Sequence, residues 1–144
     1  MKARIKWVEN ACLIAEAGSG HGVVIDGVPE IGGRNLGVRP MEMLLMGLGG
    51  CTAMDVLSIL KKQRQNVTDC VIDVEGSRRE EHPKIFTEIN IHYIITGRDL
   101  NEKLVKKAVD LSADVYCSAS AILGKTAKIT HDYEIVEEHI VPAN

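Results

Sequence analysis

The chain reads as an α+β domain in which antiparallel sheets surround one long buried helix. Three observations carry that reading. Short runs with a period of two open the sequence, a long apolar stretch starts at Pro40, and two long alternating runs follow it, joined near Glu80-Glu81-His82-Pro83. The resulting order is strands, long helix, strands, helix, strand. At 144 residues, 45% of them apolar, the chain fits one globular domain, 1–144.

Residues 2–8 place Ala3, Ile5 and Trp7 on one face and Lys2, Arg4 and Lys6 on the other, the pattern of a half-buried strand. Strands at about 11–17 and 22–26 follow, separated by the turn Gly18-Ser19-Gly20-His21-Gly22. Residues 29–39, with Pro29, Gly32, Gly33, Asn35 and Gly37, read as a loop. Pro40 suits a first helical turn, where its missing N–H has no partner to lose. The helix runs to about Arg64 and is apolar nearly all round until Lys61, so it should be buried on most sides. Gly47, Gly49 and Gly50 each cost about 1 kcal/mol against alanine in a helix interior. Gly47, Gly50, Cys51, Met54 and Ser58 share one face. Tight helix packing is one account of that face. Close approach of another helix or a ligand at the thiol is the other.

Residues 69–79 and 84–96 read as a hairpin, with Ile85, Ile89, Ile91, Tyr93 and Ile95 on one face of its second strand. Residues 100–116 form an amphipathic helix with Leu104, Ala108, Leu111 and Val115 inward and Lys103, Lys106, Lys107, Asp110 and Asp114 outward. An unbroken helix would turn Cys117 away from that inner face. A break near Cys117, with Ser118 as N-cap of a short helix, is therefore expected. A last strand covers about 127–136.

Several function classes drop out. Aromatics are 3% and the net charge is −3, with no basic run, so nucleic acid has neither stacking platforms nor a phosphate-tracking surface to meet. The first residues are too charged for a signal peptide. The apolar run Met41–Leu60 carries Glu42, Asp55 and three glycines, which favours a core helix over a membrane span. A cytoplasmic location with free thiols follows for Cys12, Cys51, Cys70 and Cys117, which show no CxxC spacing. His21, His82, His92, His131 and His139 form no metal-ligand spacing, so neither metal nor prosthetic group is expected. The turn at Gly18–Gly22 lacks the Gly-Lys-Ser/Thr ending of a phosphate loop. Arg78-Arg79-Glu80-Glu81 reads as a solvated, self-paired hairpin end. Cys70 alternates with Ile72 and Val74, and both it and Cys12 read as packing.

Cys51 and Cys117 remain. Cys51 sits among glycines in the apolar helix. Cys117 sits at an expected helix N-terminus, where the dipole and free N–H groups favour thiolate. Only the fold can bring them together. Such a pair can do redox chemistry at a nearly dry site, and the plain alternative is a buried small hydrophobe.

The segments Pro40-Met41-Glu42-Met43-Leu44 to Gly49-Gly50-Cys51, and Ala108-Val109-Asp110-Leu111-Ser112 to Tyr116-Cys117-Ser118, resemble the two cysteine motifs of the OsmC/Ohr proteins (osmotically inducible protein C and organic hydroperoxide resistance protein). The match covers essentially the whole chain. Its wording at Pro40–Val56 and Arg79–Tyr93 is nearest the YhfA-like branch. The resemblance implies an intertwined α+β homodimer with the long helices buried between sheets and the active site at the interface. It implies Cys51 as the peroxidatic thiol, Cys117 as the resolving one, a small organic hydroperoxide as substrate and a dithiol as reductant. Glu42 stands one position later than the family's glutamate, and Arg34 and Arg39 are the supporting arginine candidates by position. A homodimer is also expected because the helix from Pro40 is apolar on more sides than one small domain covers. The alternative function is a redox-silent OsmC-like protein holding a small apolar or electrophilic ligand in the same cleft, with Met41, Met43, Met46 and Met54 as lining.

Overall fold

The structure, a computed structural model, describes residues 1–138. These form two compact units, one from Met1 to Leu44 and one from Leu45 onward. Of the histidines named above, His139 lies outside the described residues.

The first unit holds a three-stranded antiparallel sheet in the order β1 (Ala3–Glu9), β2 (Cys12–Ala17), β3 (Gly22–Ile25). Its strands fall where the alternation places them. Their burial does not: every residue of β1 is exposed, with Ile5 at 56% and Trp7 at 66%. Period two identifies a strand's two faces, but burying one of them needs a covering layer. Beyond β3 the loop contains a 3₁₀ turn, Pro29–Ile31. The loop is organised by Asp26, a buried carboxylate that accepts N–H groups from Gly27 at 2.7 Å, Arg34 at 3.0 Å and Leu36 at 3.1 Å. Those bonds, Leu36's foremost, hold the Asp26 carboxyl below its usual range.

α1 (Pro40–Lys62) starts on the proline and ends past Lys61. The second unit packs the part of α1 from Leu45 onward against a sheet in the order β4 (Asn66–Arg78), β5 (Phe86–Arg98), β6 (Lys128–Glu137). β5 is central. Its inward residues Ile89, Ile91, Tyr93 and Ile95 are at most 1% exposed. The α+β class holds, with one correction to its antiparallel sheets. β4 and β5 pair antiparallel, but β5 and β6 pair parallel. The connection from β5 to β6 carries the helices between them, and a crossover of that length delivers the next strand in the same direction.

The inner stripe of α1 consists of Leu48, Gly49, Thr52, Val56 and Leu60. Gly49 is a tight position there, because an added Cβ would lie 3.1 Å from Val74 Cγ2, which would have to give way slightly. Added Cβ atoms at Gly47 and Gly50 would meet nothing within 4 Å. The helix is thus buried along one stripe rather than on most sides, and Met46 (58%) and Met54 (76%) face outward.

α2 (Glu102–Leu111) begins at Asn101, whose side chain accepts the N–H groups of Lys103 at 3.0 Å and Leu104 at 3.3 Å. Its buried face is Val105, Ala108, Val109 and Ser112, turned about one residue from the expected one, and Val115 is exposed. The helix ends in a π turn, Ser112–Tyr116, closed by Cys117 N–H to Ser112 O at 2.9 Å. Cys117 itself, not Ser118, is the N-cap of α3 (Ser118–Leu123).

Candidate active site

The second unit brings Cys51 and Cys117 together. Their sulfurs and a carboxylate oxygen of Asp55 all lie within 4.8 Å of one another. Local structure explains each placement. Asp55 follows Cys51 by four residues on α1, which puts both on the same face of the helix. Cys117 is brought inward by the π turn, which inserts an extra residue into the helical ladder and so re-aims whatever follows it. Cys117 is 4% exposed and Cys51 is half-buried.

A chain of buried hydroxyls backs the cluster. Thr52 Oγ1 shares a hydrogen bond with Tyr93 Oη and another, 2.7 Å long, with Ser112 Oγ. Ser112 Oγ donates to Asp55 Oδ2 at 3.4 Å. Each hydroxyl has one proton to give. Ser112 therefore accepts from Thr52, and Thr52 accepts from Tyr93. The whole chain is polarised toward the Asp55 carboxylate. Tyr93, Thr52 and Ser112 are fully buried, so these bonds are shielded from water, and burial pushes the Tyr93 phenol up from its usual value.

The thiols differ from expectation at Cys117. The helix-end effect is present, because Ser120 N–H donates to its sulfur at 3.4 Å. Burial is larger and pushes the Cys117 thiol up from its usual value, and the neighbouring Cys51 adds to that. Cys117 is held as a neutral thiol. Desolvation of the buried sulfur outweighs the hydrogen bonding from Ser120 that favours the charged form.

The other sequence candidates have partners inside the first unit. Arg34 pairs with Glu9. Arg39 donates to the carbonyls of Asp26 at 3.2 Å and Gly37 at 3.0 Å, and to Asn35 at 2.8 Å. Glu42 accepts the Arg39 backbone N–H at 2.8 Å and caps the start of α1. Cys12 is buried, as a packing residue would be. Cys70 is only half-buried, beside an open groove with Leu57, Lys61 and Val67, and burial pushes its thiol up.

Asp55, Thr52, Ser112 and Tyr93 were missed as site residues. Asp55 had a visible signal, a lone carboxylate in an apolar helix four residues from a thiol. Ser112 and Tyr93 had none, because their partners are distant in sequence. Next to Asp55 runs an open groove of about 380 Å³ lined by Ser58, Ile59, Lys62, Leu111 and Tyr116 among others.

Residues 32–132 match the sequence model of a family described as OsmC-like protein. The chain is 50% identical to Protein YhfA of Escherichia coli (strain K12) over 139 residues, 94% of this chain and 98% of that protein. Among solved structures, a hypothetical protein from Aquifex aeolicus VF5 is 33% identical with a TM-score of 0.84, covering 96% of this chain and 97% of that one. A Legionella pneumophila protein described as an organic hydroperoxide resistance protein OsmC is 19% identical with a TM-score of 0.69, covering 92% of this chain and 94% of that one. At that identity the likeness is one of fold. With the family model spanning most of its length and a relative identical at half its positions, the chain belongs to the OsmC-like protein family.

Proposed function

We propose that the chain reduces small organic hydroperoxides by a two-cysteine cycle. The observation that carries this reading is the pair of sulfurs, Cys51 and Cys117, held within 4.8 Å of one another at a largely buried site. The Legionella relative named for organic hydroperoxide resistance supports it at the level of fold.

The reaction balances. Cys51, as thiolate, attacks the distal oxygen of the hydroperoxide. The O–O bond breaks, the alkoxide leaves and takes up a proton as the alcohol, and Cys51 becomes a sulfenic acid. Cys117, held as a neutral thiol, attacks that sulfenic sulfur as its proton passes to the departing hydroxyl, forming a disulfide and water. A dithiol reductant then returns both thiols by exchange. Asp55 lies beside both sulfurs and is the group placed to take and return these protons. The groove beside Asp55 gives the organic part of the substrate an apolar wall at Ile59 and Leu111. Arg34, Arg39 and Glu42 enter this reading as organisers of the first unit.

The outward face of α1 supports the homodimer. Met46, Met54 and Leu57 are exposed, and the glycines at 47 and 50 leave room for a second backbone. A second copy of the chain seated there covers a face that one chain leaves in water, and it encloses Cys51 from outside. Light scattering tests this. A particle of about twice 15.8 kDa is expected, and a monomer at micromolar concentration refutes it.

The activity is tested by turnover of cumene hydroperoxide with a dithiol reductant. The wild-type chain is expected to turn over and Cys51→Ser to fall to background. Equal rates for the two would refute the cycle.

A further inference from the structure

The three groups that meet at the site form a donor set as well as a thiol pair. Two cysteine sulfurs and one carboxylate oxygen, each from a different residue, lie mutually within 4.8 Å. Around a tetrahedral zinc ion, sulfur and oxygen ligands stand about 3.5–3.8 Å from one another, given Zn–S near 2.3 Å and Zn–O near 2.0–2.2 Å. From a spacing of no more than 4.8 Å, the three side chains need to close by about an ångström to reach that range. Two donors sit one helical turn apart on α1, a spacing that places both toward one point. The third, Cys117, is fixed by the π turn and the N-cap of α3.

The surroundings are those that hold metal ligands in place. Ser112 donates to one oxygen of Asp55, at 3.4 Å, which leaves the other oxygen free to ligate. Ser112 is held in turn by Thr52 and Thr52 by Tyr93, all fully buried. Outer partners of this kind orient a ligating carboxylate. Ser120 N–H donates to the Cys117 sulfur at 3.4 Å, a bond that also stabilises a coordinated thiolate. Soft sulfur donors select thiophilic cations, and the hard cations magnesium and calcium take all-oxygen sites.

We propose that Cys51, Asp55 and Cys117 form a three-donor site for a thiophilic divalent cation, with zinc as the leading occupant. Binding exchanges the two thiol protons for the cation and leaves the fourth coordination position open. Zinc then occupies both sulfurs, so under the peroxidase reading it is a reversible inhibitor. The site itself does not depend on that reading.

The test uses the full reduced chain, cobalt(II) as optical probe and no hydroperoxide, so it stands or falls apart from the activity assay. One equivalent of cobalt is expected to give a near-ultraviolet thiolate-to-metal band and the visible bands of a tetrahedral ion, both removed by equimolar zinc. Cys51→Ser and Cys117→Ser, each checked for folding by thermal melt, are expected to lose the thiolate band. The double variant Cys12→Ser/Cys70→Ser is expected to keep it. Asp55→Asn and Ser112→Ala are expected to weaken zinc about tenfold or more in competition with a chromophoric chelator. No thiolate band at excess cobalt overturns the proposal. So does a band that survives either Cys51→Ser or Cys117→Ser, or that vanishes with Cys12 and Cys70. An unchanged zinc affinity in Asp55→Asn removes the three-donor site.

Discussion

β1 and β5 alternate equally well in sequence and end up in opposite environments. β1 presents Ile5 and Trp7 to solvent, at 56% and 66% exposed. β5 hides Ile89, Ile91, Tyr93 and Ile95 almost completely. The strand pattern is the same, and the difference is cover. β5 lies between two other strands, with α1 and the end of α2 reaching its inner face through Thr52 and Ser112. β1 is an edge strand with a single neighbour. An apolar alternation therefore states which face a strand would bury, and a neighbouring layer decides whether it does. The two faces of α1 repeat the contrast, since Gly49 meets Val74 and Gly50 meets open space.

The largest break in that comparison comes from truncating matched isoleucines. Ile95→Ala removes a fully buried side chain and is expected to cost about 2–5 kcal/mol in denaturant unfolding. Ile5→Ala is expected to stay within about 0.5 kcal/mol at high dilution. Any larger cost at Ile5 should grow with protein concentration, the signature of a face covered by a second copy. A large Ile5 cost that is independent of concentration would mean that β1 is covered within its own chain.

Thr52→Val sharpens the contrast from the buried side. It keeps the shape but removes the hydroxyl between Tyr93 and Ser112, leaving both short of a partner in a dry environment. The expected cost is about 1–3 kcal/mol by thermal or chemical unfolding. A neutral result would show that the hydroxyl chain is not a stabilising element.

The glycines of α1 give a smaller and more pointed pair. Gly50→Ala is expected to stabilise an isolated chain by about 1 kcal/mol, because alanine is the better helix former and nothing stands in its way. The same change is expected to weaken the proposed dimer, read by light scattering against dilution. Gly49→Ala must push Val74 aside, so its gain in propensity is offset and its net effect is expected to be neutral or destabilising. Equal responses at the two positions would remove the argument that the outer face seats a second backbone.

The smallest effects are electrostatic, and Asp26 and His92 should respond in opposite directions to pH. Asp26 has its carboxyl held below the ordinary 3.8 by backbone N–H bonds. Its contribution is present above that value and is lost as pH falls through the lowered one. His92 pairs with Asp132 across β5 and β6, with Glu134 and Asp73 nearby. The hydrogen bond to Asp132 raises it above the ordinary 6.5. Its contribution is complete below 6.5 and is lost as pH rises through the raised value. Asp132→Asn is expected to flatten the stability profile on the alkaline side of neutrality and, because His92 holds the Asp132 carboxyl below its ordinary value, on the acid side as well, whereas Asp26→Asn flattens the acid side alone. A profile unchanged by either variant would sink the corresponding assignment.

The reading of residues alone went furthest where the cause is local. Pro40 marks the start of α1, the residue pattern marks all six strands to within a few residues at their ends, and the need for a break at Cys117 follows from helical geometry. It went wrong by one residue where a local rule had two solutions. The inner face of α2 turned from Leu104 and Leu111 to Val105 and Val109, and the N-cap moved from Ser118 to Cys117. It missed the parallel pairing of β6, because period two carries no strand direction.

Helix limits, strand faces and the two cysteine contexts are properties of neighbours within a few residues, where dihedral preference and side-chain periodicity act, and they could be read directly. The meeting of Cys51 and Asp55 with Cys117, the hydroxyl chain from Tyr93 to Asp55 and the rise of the Cys117 thiol could not. Each depends on contacts between residues forty or more positions apart, as with Thr52 and Tyr93, and on the water that those contacts exclude. Distances of that kind are set by packing a whole sheet against a helix, and desolvation exists only once the packing is complete.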